Sequence, residues 1–298
     1  MSMQTRKTRA DDLSGLKNLW SDTFSEDDRD LFFDNWFDPE HTAVITDNSE
    51  IASAGYLIPV GDITISEISG ERLRCAFIYG LSTASSFRRL GCATLITNEL
   101  IRIGKRLGYE MIALHPAQES LYDFYSKRTT LREWFYMREQ KLEITPETTE
   151  KKELIEVSAE KYRETRSKLL SGTIHIDTDT HALNYQKALC ALFGGGLYLA
   201  QTPGGPACII AEHQSGDVVL IKELLAPEGF ESYAAQAVAA ARPASEYIIR
   251  TPTKGATGTS SSACEAKRFA MLTNTSGNSP PAPPCGSVIL PWCGPAFD

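Results

Sequence analysis

The chain has 298 residues, 42% hydrophobic and 23% charged, with a formal net charge of -8. That composition fits a globular protein of one large or two ordinary domains. The acidic balance, with no dense basic run, speaks against a nucleic-acid partner, and no apolar stretch reaches the length of a membrane span.

The first residues carry no apolar core of signal-peptide length. The seven cysteines (75, 92, 190, 208, 264, 285 and 293) show no C-x-x-C pair. Most sit in apolar runs and are expected to be reduced, buried thiols of a cytoplasmic protein. Cys285 and Cys293 are near enough for a disulfide, which is the less favoured reading. The five histidines are isolated, so no metal site is expected.

In chain order, residues 3–9 alternate and predict an opening strand. Asp11 and Asp12 then cap a helix whose apolar face is Leu13, Leu16, Leu19 and Trp20. An acidic, aromatic segment runs from Phe24 to Asp38; its rings should pack and its carboxylates face water. Residues 42–47 and 51–58 predict a hairpin about Asn48-Ser49-Glu50, and residues 60–68 a third strand.

The apolar run Cys75 to Leu81 is too short for an ordinary helix and reads as a buried strand. A polar turn, Ser82 to Phe87, leads to Arg88-Arg89-Leu90-Gly91-Cys92-Ala93 and an amphipathic helix. Ile96, Leu100, Ile103 and Leu107 line that helix's core face, and Gly108 stops it. Its first turn, Gly91 to Thr94, carries no acidic residue, so its N–H groups and dipole stay available for an anion. Neither a G-x-x-x-x-G-K-[ST] nor a strand-borne G-x-G-x-x-G is present.

Residues 109–114 predict another buried strand, ended by Pro116. Residues 118–127 predict a helix with Leu121, Phe124 and Tyr125 on one face, and residues 134–137 a strand. The charged stretch 141–153 reads as a linker. Beyond it come helices at 158–170 and about 181–192, strands at 197–201, 207–213 and 218–225, a helix at 230–241 and a strand at 246–250. Residues 251–287 are rich in Thr, Ser, Gly and Pro. Within them Ser279–Pro284 should be extended, and Lys267–Leu272 is an island expected to dock on the second half. Residues 288–290 could add a last short strand.

The loop Arg88-x-x-Gly91-x-Ala93, with a strand before and a helix after, resembles the acetyl-CoA loop of the GNAT superfamily of N-acetyltransferases, whose pattern is [QR]-x-x-G-x-[GA]. The opening strand and Asp11-Asp12-Leu13 helix are similar to that family's start. Phe124-Tyr125-Ser126-Lys127 is similar to its last core helix, although Arg128-Thr129-Thr130 departs from the usual continuation. The resemblance covers about residues 3–140. It implies a mixed α/β (α+β) GNAT fold, an acetyl-CoA-binding domain at 1–146 and, because the element order recurs, a degenerate GNAT-like domain at 147–298. In the second half Ala226 to Glu231 stands where the loop would be, and Glu228 and Glu231 would repel a phosphate there.

For function, the resemblance implies transfer of an acetyl group from acetyl-CoA to a primary amine of a small molecule or peptide, by direct attack on the thioester. It places Leu81, Ser82 and Thr83 along the pantetheine and the acetyl oxygen. Arg88, Arg89, Leu90, Gly91, Cys92, Ala93 and Thr94 become the pyrophosphate cradle. Tyr125 becomes the general acid, with Tyr122 as a substitute. His115, Glu119 and Glu67 are the candidate bases, none singled out. Cys92 reads as a small residue, not a nucleophile. The acidic segment falls on the acceptor side and would attract a cationic amine. A non-catalytic acyl-CoA sensor and a different acyl donor are the competing readings. A monomer or homodimer is expected, with no metal, nucleic acid or membrane partner.

Overall fold

The computed structural model describes residues 3–48, 50–67, 69–144, 153–253, 266–277, 280, 289–295 and 297. They form two compact units. Unit 1 comprises residues 1–61, 73–134 and 270–281, and unit 2 comprises 62–72, 135–269 and 282–298. Each unit therefore borrows a segment from the other half of the chain.

Unit 1 opens with strand β1 (Gln4–Lys7) and helix α1 (Leu13–Ser21). Asp12 precedes α1 but does not cap it through its side chain. Its carboxylate instead accepts from the Arg9 backbone N–H at 2.7 Å and from both Nη atoms of Arg6. The acidic segment contains a helix the sequence pattern did not reveal, α2 (Arg29–Trp36), which buries Phe32, Phe33 and Trp36. Trp20 stacks on Phe32 at a centroid distance of 4.3 Å, and Tyr56 meets Phe32 edge-on at 4.8 Å.

Strand β2 (Thr42–Asp47) pairs antiparallel with β3 (Glu50–Ser66). The two strands expected at 51–58 and 60–68 are one 17-residue strand. Gly61, at φ 121°, lets the strand bend there without ending. Strand β4 (Glu71–Thr83) starts earlier than its apolar run, and helix α3 (Cys92–Arg106) and strand β5 (Met111–Leu114) follow. Helix α4 (Glu119–Arg128) buries Tyr122 and Tyr125, with Leu121 and Phe124 partly covered.

The unit 1 strand order is β1-β2-β3-β4-β5-β13. Its last member comes from the far end of the chain. β13 (Lys267–Asn274) sets Met271 to Asn274 antiparallel against Leu114 to Met111. Met271, Leu272 and Thr273 are fully buried there, and Thr275 donates to Tyr109 O and Glu110 O. Residues 267–272 thus do not simply dock on the second half as expected. The run Phe269–Leu272 is apolar enough to serve as a central strand, and β5 offers the open edge.

In unit 2, β6 (Arg132–Leu142), β7 (Leu154–Glu156), β9 (Gly196–Thr202), β10 (Gly205–Gln214), β11 (Val218–Leu225) and β12 (Glu246–Thr251) stand in the order β6-β12-β11-β10-β9-β7. Lys141 and Leu142 still belong to β6, paired with Ile248 and Tyr247, so the expected linker starts later than its charge suggested. Residues 145–152 lie outside the described ones. Helices α5 (Ala159–Leu169), α6 (Thr180–Leu192) and α7 (Glu231–Ala241) complete the unit with the short strand β8 (His175–Thr178). Ser158 and Asp179 cap α5 and α6 through their side chains.

One buried charge cluster ties the chain end into unit 2. Glu223 is fully buried and accepts from Arg166, from Tyr162 Oη at 2.8 Å and from Trp292 Nε1 at 2.8 Å. A carboxylate so enclosed is tolerable only because its oxygens are filled. Of the remaining tail, Val288 and most of the Ser279–Pro284 stretch lie outside the described residues, while Ile289 and Trp292 form isolated bridges.

Candidate active site

The site is organised by where β4 leaves its partner. Cys75 to Ile78 pair parallel with Met111 to Leu114, and there β5 ends while β4 runs on to Thr83. Gly80, at φ 59°, lies just past the last pair. An added Cβ there would come within 2.6 Å of Trp20 and 2.9 Å of Tyr56. Only glycine combines that backbone angle with that proximity, so the strand kinks away from β5 at this point.

The opening is a cavity of about 250 Å³ lined by Leu81, Ser82, Thr83, Arg88, Ala93 and Tyr125, with Thr23, Ser53 and Leu121. Ser53 fixes the free end of β4. Its Oγ donates to Ser82 O at 2.6 Å and lies 2.9 Å from Thr83 Oγ1, while Ala84 N donates to Ala52 O at 3.0 Å. Thr23 and Ser53 were not among the residues singled out from sequence. A serine within an otherwise apolar strand was the only local signal for the second.

Beyond the cavity the backbone of the loop turns twice through left-handed space, at Arg89 (φ 66°) and Gly91 (φ 83°). A non-glycine residue in that region costs energy and marks a constrained loop. No side chain caps the first turn of α3, and no acidic residue lies in it. None of the described residues stands within 4 Å of a Cβ built on Gly91. Thr94 adds a buried hydroxyl that has no partner among the described residues. Leu90 and both arginines are exposed, and Arg88 Nε reaches back to Thr83 O at 3.3 Å. The arrangement is a nest of N–H groups at a helix start, which suits an anion. Cys92 is buried, its thiol 3.6 Å from Phe87 O, and burial pushes its pKa up, so it packs as a small residue.

Residues 4–128 match the family model of the acetyltransferase (GNAT) domain. This stretch is a GNAT acetyltransferase domain, and the chain is an acyltransferase. No curated protein matches the chain in sequence. Among solved structures, a conserved protein from Enterococcus faecalis V583 aligns with a TM-score of 0.66 at 14% identity, over 94% of this chain and 74% of its own. A GCN5-related N-acetyltransferase from Anabaena variabilis aligns at 0.62 and 14%, over 92% and 73%. Eis1 from Mycobacterium abscessus aligns at 0.58 and 11%, over 92% and 73%. At such identities the likeness is one of fold, and it covers nearly the whole chain. The mixed α/β class and GNAT fold expected from the sequence hold.

Within the GNAT domain, α4 carries Tyr125 to the cavity wall, and burial pushes its phenol up to about 12. His115 is half-buried just after β5 and Glu119 is exposed at the first position of α4; neither is among the residues lining the cavity. Tyr122 is buried on α4 but does not line it either. Glu67 lies in unit 2, where its carboxylate accepts from Ser171 Oγ at 2.6 Å. The acidic segment is more informative. Asp28 Oδ1 accepts from Trp20 Nε1 at 3.2 Å, and no cation pairs with it among the described residues. Burial pushes its pKa up, against the opposing hydrogen bonds from the indole and from its own backbone N–H. Trp20 and the exposed Phe24 stand 4.8 Å apart beside it. Among the described residues, no cluster of His, Cys, Asp and Glu is placed to hold a metal ion.

Proposed function

We propose that the protein transfers the acetyl group of acetyl-CoA to a primary amine of a small molecule or peptide. The observation that carries this reading is the continuity of the kinked β4 end, the cavity and the open helix start at Gly91. A long thioester with a pyrophosphate in its middle needs that sequence of surfaces. Bound there, acetyl-CoA supplies the acetyl group already activated as a thioester. The β4 backbone at Leu81 to Thr83 pairs with its pantetheine arm, and the N–H groups from Arg89 to Thr94 receive the phosphates. Ser53 holds β4 in place by occupying Ser82 O.

Tyr125 is the proton donor in this reading. With its pKa pushed up to about 12 it stays a neutral phenol at any working pH. It can therefore present O–H to a sulfur that gains charge as the carbon–sulfur bond breaks. His115 and Glu119 are the candidate bases of this reading, although neither lines the cavity, and Glu67, in unit 2, is not proposed for the role. The unpaired, half-buried Asp28 beside Trp20 and Phe24 favours an acceptor with a positive charge.

The second half is proposed to be a silent copy. Its support is a matching register: Val218 to Ile221 pair parallel with Glu246 to Ile249, after which β11 runs on to Leu225. Pro227 and Phe230 press on Gly204 where the cradle would be, and Glu231 occupies the first turn of α7. A cytoplasmic setting is proposed on the expectation of reduced thiols; cysteines 75, 92, 190, 208 and 293 are buried, and Cys264 and Cys285 lie outside the described residues.

The test is thiol release from acetyl-CoA over a panel of primary amines, wild type beside Tyr125→Phe. Turnover on cationic amines that falls sharply in the variant supports the proposal. Tight CoA binding with no turnover on any amine would make the protein a sensor, and no CoA binding would sink both readings.

A further inference from the structure

Unit 2 contains a separate cavity of about 440 Å³ that acyl transfer does not use. This lies in the size range of small-molecule pockets, ~300–1,000 Å³. Its walls come from α5, β8, the start of α6 and the Arg72 end of the hairpin between β3 and β4. Asp177 is buried in the wall, and its Oδ2 accepts from Arg72 Nη1 and from Arg163 Nη2, each at 2.9 Å. Burial works to raise the Asp177 pKa, but the two guanidinium groups hold it below the usual carboxylate range.

The hydrogen-bond inventory of this cavity does not balance. Two guanidinium groups share one carboxylate oxygen, which leaves a positive charge over. Among the described residues, the buried Arg163 Nε–H has no acceptor. Arg72 has no partner besides Asp177 among the described residues. The other carboxylates on the wall are already committed. Glu164 accepts from Lys168 at 2.7 Å and from Lys161 at 2.9 Å, which pulls its pKa down to about 2. Glu160 accepts from its own backbone N–H and from the Ser158 hydroxyl. The cavity therefore offers several unspent donors on planar forks and few free acceptors. A buried donor without a partner is costly, so native structures rarely leave one unmatched.

We propose that this cavity binds a small molecule through a terminal oxoanion, a carboxylate or a phosphate, gripped by the forks of Arg163 and Arg72. The guanidinium geometry matches either anion in a bidentate pair. Thr180, at the start of α6, closes the wall on the same side. The site lies wholly in unit 2, so it stands whether or not the first unit transfers acetyl groups.

Calorimetry and thermal melting of the full chain test it, with inorganic phosphate and citrate as probes and sodium chloride at matched ionic strength as control. Saturable binding of at least one probe is expected, with a rise in Tm that chloride does not give. Which probe binds tells carboxylate from phosphate. Arg163→Gln should weaken binding about tenfold or more, as removal of a charge-assisted hydrogen bond does. Arg72→Lys, which keeps the charge and loses the fork, is the milder variant and decides the matter if Arg163→Gln does not fold. Failure of both probes to bind overturns the proposal. So does binding that both variants retain, which would assign the anion to the loop at Gly91 instead.

Discussion

Gly91→Ala separates what the cradle needs for folding from what it needs for its ligand. Gly91 sits at φ 83°, and no described residue comes within 4 Å of its missing Cβ. The methyl group meets none of the described residues, so the folding cost is backbone strain, roughly 1–2 kcal/mol for a left-handed alanine. With Tm moving roughly 2–4 °C per kcal/mol in chains of comparable size, melting should fall by roughly 2–8 °C. Binding should suffer more. A methyl group between the N–H nest and the pyrophosphate removes charge-assisted hydrogen bonds worth ~1.5–3 kcal/mol, which is roughly 10- to 100-fold in Kd. Gly91→Asn is the control, because asparagine tolerates the left-handed region and relieves most of the strain while still adding a side chain. Calorimetric titration with acetyl-CoA beside thermal melts reads both quantities. The expected pattern is an Asn variant that melts near wild type and binds as poorly as the Ala variant. If both variants bind acetyl-CoA as wild type does, the phosphates do not lie on Gly91 and the cradle has been misplaced.

Tyr125→Phe should lower kcat by a factor on the order of 10²–10⁴ with little change in KM for acetyl-CoA, since a phenol acting only on the leaving sulfur is used after binding. In the wild type, pH–rate profiles should show no basic limb from this phenol up to about pH 10, given its pKa of about 12. Asp28→Asn should raise KM for cationic amines and leave Tm unchanged or higher. The sign follows from its raised pKa: the group favours folding below its unfolded value and disfavours it as pH rises through its folded one, so at neutral pH a neutral isostere removes a cost. Leu272→Ala, at a fully buried position of β13, should cost about 2–5 kcal/mol and lower the melting of unit 1. A chain cut at residue 146 should fail to melt cooperatively, because the β5 edge that Met271–Asn274 covers is left open.

The local grammar of the GNAT domain was readable because each signal was carried by neighbouring residues. The stripe of Ile96, Leu100 and Ile103 fixed α3, and Gly108 its end. Tyr125 was readable by its place in a short motif. What failed was non-local or conformational. The strand at 267–274 looked like an apolar island because nothing in a linear pattern says that β5 has an open edge 160 residues earlier, roughly the separation that contact-order arguments treat as costly. Helix α2 was hidden because Asp30 and Asp34 interrupt its aromatic face, and only packing against Trp20 and Tyr56 makes Phe32 and Phe33 count as a helical pair. The break expected before residue 60 did not occur because Gly61 bends β3 without ending it.

The same distinction decides why the catalytic candidates fared unequally. β4 runs on past its last pair with β5, and the cavity takes its walls from the end of β4, the loop that follows it, the Leu121 and Tyr125 face of α4, and Thr23 and Ser53, while His115 and Glu119 lie outside that lining. His115 and Glu119 satisfied a chemical requirement, a titratable group near the strand end, without a backbone route to the opening. Thr23 and Ser53 had the route and no chemical signature. An acyl donor held by backbone groups asks little of side-chain identity, so the residues that shape its site are small hydroxyls and glycines that sequence patterns use everywhere. On the proposed reading, Asp28, half-buried against an indole and without an ion-pair partner among the described residues, would gain electrostatic energy from a cationic acceptor.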